Sequence, residues 1–196
     1  MSESFAPAPT WGDGVALEMD HPSLAWLYAD IPTVVNIAQL QPHESVLILS
    51  CSTGLLAVAA LKALGDHYRR IVGVDSVRGA LQQAALKFEA SGIGNDIELL
   101  HSNFYDLNSL TGLQVPAQDP SPPAFDVVFA RNALPPGQSD WQSLLQYWAS
   151  HCTHGTGRLV TTFSHGDTEN PHLAGIQAVD NDSNIVACTS WMFERE

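Results

Sequence analysis

Two kinds of apolar run alternate along the chain. Short continuous runs are typical of buried parallel strands, and apolar residues at three- and four-residue steps are typical of helices. The continuous pattern predicts strands over 45–49, 70–75, 97–100, 125–130 and 157–163, with a further candidate at 184–189. The helical pattern predicts helices over 22–39, 55–64, 77–90 and 140–152. Pro32 lies inside the first of these helices and predicts a kink or a break there.

This alternation predicts an α/β fold with a Rossmann-like, doubly wound, mostly parallel sheet and helices on both faces. In such sheets ligands bind beyond the carboxyl ends of the strands, at the point where the strand order reverses. Functional side chains are therefore expected directly after the strands.

Charge and cysteine content narrow the range of partners. Lys and Arg number 8 against 21 Asp and Glu, which gives a net charge of −13. That charge repels phosphate backbones and anionic membranes, so we expect neither nucleic acid nor membrane as a partner. The cysteines Cys51, Cys152 and Cys188 lack metal-ligand spacing, and we expect reduced thiols and no metal. Without a signal-peptide pattern or a membrane-spanning apolar stretch, we expect a soluble, cytoplasmic protein.

The stretch VLILSCSTG, residues 46–54, has the pattern of a strand, a turn of small residues and the start of a helix. It resembles the first motif of the class I S-adenosylmethionine-dependent methyltransferases, which typically reads VLDLGCGTG. The resemblance implies that S-adenosyl-L-methionine is the cofactor. It also implies that the loop binds this cofactor through Ser50, Cys51, Ser52 and Gly54.

Three positions depart from the family motif. Ile48 stands where the family has an acid, which removes a negative charge near the cationic methionine end of the cofactor. Ser50 and Ser52 stand where the family has glycines. Glycine takes a positive φ readily, whereas a serine in left-handed geometry costs about 1 kcal/mol. We expect a loop whose cofactor binding is weakened but not abolished.

Asp75 ends the second predicted strand, about 20 residues beyond the loop. An acid at this spacing can accept hydrogen bonds from ribose hydroxyls, and the family has its ribose-binding acid here. The resemblance extends the cofactor contact to Ser76, the next residue. The alternative is that Asp75 caps the helix that follows, and the two roles can coexist.

The segment HSNFYDL, residues 101–107, resembles the family's adenine-binding motif. The resemblance implies that Asn103 accepts a hydrogen bond from the adenine amine and that Phe104 packs on the adenine ring. The alternative is an ordinary polar turn after the third strand.

The segment FDVVFARNALPP, residues 125–136, resembles the family's fourth motif. The resemblance places Ala130, Arg131 and Asn132 at the functional end of the strand, where Ala130 and Arg131 are expected to contact the cofactor. Asp126 lies at the start of the strand, and we expect it to be structural.

The implied reaction is transfer of the cofactor's methyl group to a small organic molecule. An oxygen nucleophile needs a general base, for which His165, just past the fifth strand, is the catalytic candidate. His101 and His154 are weaker candidates, and the alternative for each histidine is a surface or core position without a catalytic role.

The resemblance divides the chain into an N-terminal arm and helix, residues 1–40, and a cofactor-binding domain, residues 41–196. We expect the first part to cover the substrate, with Trp11, Trp26 and Tyr28 as an aromatic lid or, alternatively, as core residues. The family normally continues after its fifth strand with a helix and an antiparallel strand pair. The short remainder here predicts a sheet that is shortened, or completed by a partner chain in a homo- or hetero-dimer.

Two other functions stay open. A binding or scaffold protein would keep the fold, lose the cofactor and pair with another subunit. A different chemistry, such as that of a hydrolase or cyclase, could also use the fold. The absence of GxSxG and GxGxxG from the sequence disfavours a serine hydrolase and a nicotinamide dehydrogenase.

Overall fold

The computed structural model describes residues 28–107, 125–131, 133, 141–153, 156–164 and 185–191, of which 141–142, 163–164 and 185–191 are described by their backbone alone. The described strands are β1 Ser45–Leu49, β2 Arg70–Asp75, β3 Glu98–His101, β4 Val127–Arg131, β5 Arg158–Ser164 and β6 Ile185–Trp191. The described helices are α1 Ile31–Ala38, α2 Leu55–Leu64, α3 Arg78–Ala90 and α4 Trp141–Ala149.

The described strands form one parallel sheet in the order β3-β2-β1-β4-β5-β6. The chain begins this sheet in the middle with β1, adds β2 and β3 on one side, and then adds β4, β5 and β6 on the other. The strand order therefore reverses between β1 and β4. The predicted doubly wound topology is confirmed, and the candidate strand near the C-terminus joins the sheet as β6.

Two apolar clusters cover the two faces of the sheet, because successive side chains of a strand point to opposite faces. Ile48 and Phe129 belong to the cluster on the face covered by α1, α2 and α3. Leu47 and Trp148 belong to the cluster on the face covered by α4. The prediction of helices on both faces is confirmed.

The predicted boundaries hold for β1, β2 and α2 and shift by one to three residues at several other elements. The strand predicted from residue 125 begins at Val127, because Phe125 makes only an isolated bridge with Cys152. The helix predicted to end at residue 152 ends at Ala149, where the chain turns and the Cys152 N–H donates to the Ala149 carbonyl over 2.9 Å.

The helix predicted over 22–39 begins, within the described residues, at Ile31. Asp30 is its N-cap residue, and Pro32 lies in its first turn. Proline is tolerated there because the first N–H groups of a helix have no partner inside it. The break predicted at Pro32 is therefore a helix start, and residues 22–27 lie outside the described ranges. The helix packs against α2 and β5.

Candidate functional site

The turn after β1 keeps a glycine-type backbone although two of its residues are serines. Ser50 has a φ of 56° and Ser52 a φ of 53°, both in the left-handed region. Gly54, with a φ of 84°, is the N-cap residue of α2. Because each left-handed serine costs about 1 kcal/mol, the surrounding structure must enforce this shape.

Hydrogen bonds to β2 hold the turn in place. The Cys51 N–H donates to the Val74 carbonyl over 3.0 Å, which extends the pairing of β1 and β2 by one residue. The Ser52 N–H donates to Asp75 Oδ2 over 2.7 Å. The Gly54 N–H donates to the Cys51 carbonyl over 3.1 Å and closes the turn. The strained serines are therefore fixed by the end of the neighbouring strand.

Gly54 is required by packing as well as by its backbone angle. A Cβ atom at this position would lie 2.5 Å from Phe88 Cζ and 3.0 Å from Ala84 Cβ, both on α3. Atoms do not approach so closely, so any other residue would push α2 and α3 apart. The one motif glycine that this sequence retains is the one on which the helix packing depends.

The Cys51 side chain turns away from the loop into the core, where it is 3% exposed. A Cβ atom at Gly73 would lie 2.5 Å from its Sγ, so the absence of a side chain at Gly73 makes room for the thiol. Burial raises the pKa of Cys51 to about 12, and the nearby Asp75 carboxylate adds to the rise. The thiol is therefore neutral at physiological pH, and its predicted contact with the cofactor stays a prediction.

Asp75 connects the loop to the start of α3. Its Oδ2 accepts the Ser52 N–H, and its Oδ1 accepts the N–H of Val77, the N-cap residue of α3, over 2.8 Å. Burial raises the pKa of Asp75, although backbone hydrogen bonds from Val77, Ser52 and Ser76 and the charge of His101 oppose the rise. A carboxylate offers about four acceptor sites, so capacity remains for ribose hydroxyls. The ribose contact stays a prediction.

The neighbours of Asp75 line the same edge of the sheet. Ser76 is exposed, and its carbonyl lies 3.1 Å from His101 Nε2. His101 is also exposed and lies level with Asp75 in the register of β3 and β2. The ring of His101 is thus held beside the predicted ribose site, and its role as a base stays a prediction.

Asn103 and Phe104 follow β3 in a turn, and their predicted contacts with adenine stay predictions. Asn103 is exposed, and its Oδ1 accepts the Tyr105 N–H over 3.0 Å. Phe104 is 5% exposed, its ring centre lies 4.5 Å from that of Tyr105, and its carbonyl accepts the Trp148 Nε1–H. Phe104 is a core residue here, so the predicted packing of its ring on adenine would need the side chain to turn.

Arg131 ends β4 and forms a partly buried ion pair with Asp30, at the start of α1. Its Nη2 lies 2.6 Å from Asp30 Oδ1, and its Nε lies 3.0 Å from Asp30 Oδ2. The two side chains are 13% and 11% exposed. The guanidinium also lies over the ring of Tyr28, 5.5 Å from its centre. Ala130, by contrast, is fully buried in the α4-side cluster.

Asp30 is the functional candidate that sequence reasoning missed. The signal that could have found it is an acidic residue directly before a helix that carries proline in its first turn. That pattern predicts an N-cap, but the Asp30 side chain makes no capping hydrogen bond. Its carboxylate is directed to Arg131 instead, a contact between residues 101 positions apart that no local pattern encodes.

Other predicted site residues lie outside the described ranges, namely Trp11, Trp26, Asn132, His154 and His165. Of the predicted aromatic lid, the structure describes Tyr28, which packs against the α1-side cluster and under Arg131. Within the described ranges no group of three or more His, Cys, Asp or Glu side chains is arranged to hold a metal ion. No helix of the same ranges is long and apolar enough to cross a membrane.

Comparison with solved structures identifies the fold. A candidate S-adenosyl-L-methionine-dependent methyltransferase from Methanococcus maripaludis matches with a TM-score of 0.57 and 17% identity, over 86% of this chain and 70% of that chain. A SAM-dependent methyltransferase from Aquifex aeolicus matches with a TM-score of 0.51 and 18% identity, over 74% and 69%. The chain has the class I methyltransferase fold. The family resemblance of the sequence is confirmed at the level of fold.

The same fold also carries other chemistry. The [4+2]-cyclase SpnF matches with a TM-score of 0.50 and 18% identity, over 78% of this chain and 60% of that chain. In eight of the solved chains that match, this chain spans between 32% and 70% of the other chain's length. No family model and no curated protein matches the sequence. The fold alone therefore does not determine the activity, which depends on the residues of the site.

Proposed function

We propose that this chain binds S-adenosyl-L-methionine and transfers its methyl group to a small organic molecule. The observation that carries the proposal is the turn after β1, where Ser50 and Ser52 hold the left-handed backbone that glycine normally supplies. Backbone strain of this kind persists where the surrounding structure enforces it, and it clusters at ligand sites. The turn lies beside the point where the strand order reverses, which is where this class of sheet binds ligands.

The donor and acceptor groups at this edge fit the cofactor. Asp75 has acceptor sites left for ribose hydroxyls, and the hydroxyls of Ser50 and Ser52 can donate to a carboxylate. The bound cofactor would supply an electrophilic methyl group on a sulfonium. The task of the protein is then to hold the acceptor in line with that methyl group and to exclude water. Residues 1–40 as a lid and His165 as a general base belong to this proposal.

The charge of the chain supports the choice of acceptor. With a net charge of −13, a polyanionic acceptor such as nucleic acid would be repelled. A small organic acceptor avoids this repulsion, and a cytosolic location fits the buried, unpaired thiols of Cys51 and Cys152.

Calorimetric titration with S-adenosylhomocysteine and S-adenosylmethionine tests the proposal. We expect micromolar binding to the wild-type protein and at least a 100-fold loss in Asp75→Ala, because charged hydrogen bonds contribute about 1.5–3 kcal/mol each. Asp66→Ala is the matched control, since it removes the same charge from an exposed position beyond α2. Its affinity should equal that of the wild type. Thermal unfolding of all three proteins establishes that they are folded at the titration temperature.

A second function is that of a binding or scaffold protein that has lost the cofactor and pairs with another subunit. Two observations favour it. Ile48, which replaces the family's acid, is fully buried in the core. Asp75 already accepts backbone hydrogen bonds from within the chain. If the wild-type protein binds neither ligand at millimolar concentration, the methyltransferase proposal fails. A scaffold that forms a homo- or hetero-dimer then becomes the leading function, which sedimentation would test.

A further inference from the structure

The ion pair of Asp30 and Arg131 lies at the carboxyl edge of the sheet, beside the cofactor loop. Leu49 of β1 pairs with Ala130 of β4, so Arg131 lies level with Ser50, the first residue of the turn. The strand order reverses between these two strands. The ion pair therefore lies where the fold places its ligand.

Arg131 and Asp75 face the same side of the sheet. Ile48 pairs with Gly73 on one side and with Phe129 on the other, and Asp75 and Arg131 lie two residues beyond these partners. Because strands are about 4.8 Å apart, the backbones of Asp75 and Arg131 are separated by two spacings, or about 10 Å. A ligand whose ribose lies at Asp75 and whose adenine lies toward β3 extends its other end across the loop toward Arg131.

That other end needs charged partners that β1 does not supply. Ile48 is fully buried in the apolar cluster between the sheet and α1. Asp30 brings a carboxylate to the same edge from a different element, and Arg131 holds it there through its Nε and Nη2. The acid that is absent from β1 thus has a counterpart at the start of α1.

We propose that Asp30 and Arg131 recognise the amino-acid end of the cofactor, with Arg131 binding its carboxylate and Asp30 its ammonium group. The proposal rests on the proposed function and deepens it. A guanidinium and a carboxylate form two-point hydrogen bonds with matching geometry, which Arg131 already makes to Asp30. The amino-acid end carries a carboxylate and an ammonium group. Binding therefore replaces the one ion pair between Asp30 and Arg131 with two ion pairs to the ligand. No unpaired charge is buried by the exchange, which limits its desolvation penalty.

The test compares two ligands that differ only at the proposed contact. S-adenosylhomocysteine has the amino-acid end, and 5′-methylthioadenosine keeps the nucleoside and the thioether without it. We expect Asp30→Asn and Arg131→Lys each to weaken binding of S-adenosylhomocysteine at least 10-fold in calorimetric titration. Binding of 5′-methylthioadenosine should change less than 2-fold, because the nucleoside contacts are untouched.

The ion pair of Glu44 and Arg158 supplies the matched control. It lies at the opposite edge of the sheet, its N–O distance is 2.6 Å, and its side chains are 13% and 18% exposed. Glu44→Gln should therefore perturb the fold about as much as Asp30→Asn does and leave the affinity for S-adenosylhomocysteine unchanged. Wild-type protein adds a measurement that needs no variant, since decarboxylated S-adenosylhomocysteine should bind at least 10-fold more weakly than the parent ligand.

The outcomes separate this inference from the proposed function. If the wild type binds neither ligand, the proposed function fails. If it binds both and Asp30→Asn weakens both equally, the ion pair only anchors α1 and the inference is overturned. Equal affinity of the wild type for the parent and the decarboxylated ligand would overturn it as well.

Discussion

The two edges of the sheet each contain an aspartate whose hydrogen bonds join neighbouring segments, and the two carboxylates have opposite pKa shifts. At the amino edge, Asp126 Oδ2 accepts the N–H and the hydroxyl of Ser45, each over 2.8 Å. Burial raises the pKa of Asp126, but hydrogen bonds from Ser45 and the charge of Arg69 outweigh it, so the net shift is downward. At the carboxyl edge, burial of Asp75 outweighs its backbone hydrogen bonds, and the pKa rises.

These opposite shifts distinguish a carboxylate that is satisfied within the protein from one with capacity for a ligand. Asp126 receives hydroxyl and backbone hydrogens together with a nearby cation, which satisfies its charge within the protein. Asp75 receives backbone N–H groups and lies in a more buried position, so its charge is less well compensated. A hydroxyl-bearing ligand would complete the hydrogen bonding of Asp75. The hydrogen bonds of Asp126 are already supplied by the protein itself.

Substitution of Gly54 should cause the largest loss of stability, because the carboxyl edge depends on close contact between α2 and α3. Gly54→Ala combines a positive φ with a clash against Phe88, and we expect it to lower the free energy of unfolding by about 2–4 kcal/mol. Gly92→Ala is the control, since Gly92 also has a positive φ, of 72°, at the end of α3 but has open space around it. Its cost should be about 1 kcal/mol. Equal costs in urea denaturation would contradict the packing argument.

Asp126→Ala should have the second-largest effect. It should lower the stability of the protein without changing its affinity for the ligand. The substitution leaves the buried Ser45 N–H without its acceptor, which costs about 1–3 kcal/mol of unfolding free energy. Since the amino edge is remote from the cofactor loop, the affinity for S-adenosylhomocysteine should match that of the wild type in a titration at a temperature where both are folded. A loss of affinity comparable to that of Asp75→Ala would remove the distinction between the two edges.

The pH dependence of stability should have opposite signs at the two aspartates. The lowered pKa of Asp126 means that its contribution is present above its ordinary value of 3.8 and is lost as the pH falls through the lower folded value. The raised pKa of Asp75 means that its contribution is present below 3.8 and is lost as the pH rises through the higher folded value.

Urea denaturation from about pH 3 to pH 6 measures both slopes. The stability of the wild type relative to Asp126→Asn should increase with pH over this range, and its stability relative to Asp75→Asn should decrease. Parallel slopes would show that the two carboxylates are in similar environments.

The sequence predicted the sheet better than it predicted the side chains of the site. Continuous apolar runs predict buried strands because both faces of a parallel strand are covered, and β1 and β2 have the bounds that their runs predict. The strained backbone at Ser50 and Ser52 was also predictable, since motif register determines which positions need a positive φ. Local patterns could not predict the partner of Arg131, because Asp30 reaches it only once α1 has packed on the sheet.

Tertiary packing, which local patterns do not contain, also determines the direction of the Phe104 ring. A motif alignment places an aromatic residue beside the adenine site, but the direction of its ring depends on the space that α4 leaves at the end of β3. Here the ring turns inward, and the Phe104 carbonyl accepts a hydrogen bond from Trp148 of α4. Side-chain direction at a strand end is a property of tertiary packing, which neither periodicity nor motif spacing contains.

A ligand should change the reactivity of the two buried thiols differently, since one lies at each edge of the sheet. This effect should be the smallest of those described. Burial raises the pKa of Cys51, in the cofactor loop, and of Cys152, near the amino edge, to about 12 each. Since the thiolate is the reactive form, iodoacetamide at about pH 8 should modify neither residue in the folded protein, except through local opening. Peptide mapping by mass spectrometry measures the two rates.

Added S-adenosylhomocysteine should slow modification of Cys51 several-fold, because a ligand across the loop opposes its opening, and should leave the rate at Cys152 unchanged. Equal slowing at both residues would mean that the ligand stabilises the whole domain, and the loop would then have no opening motion of its own.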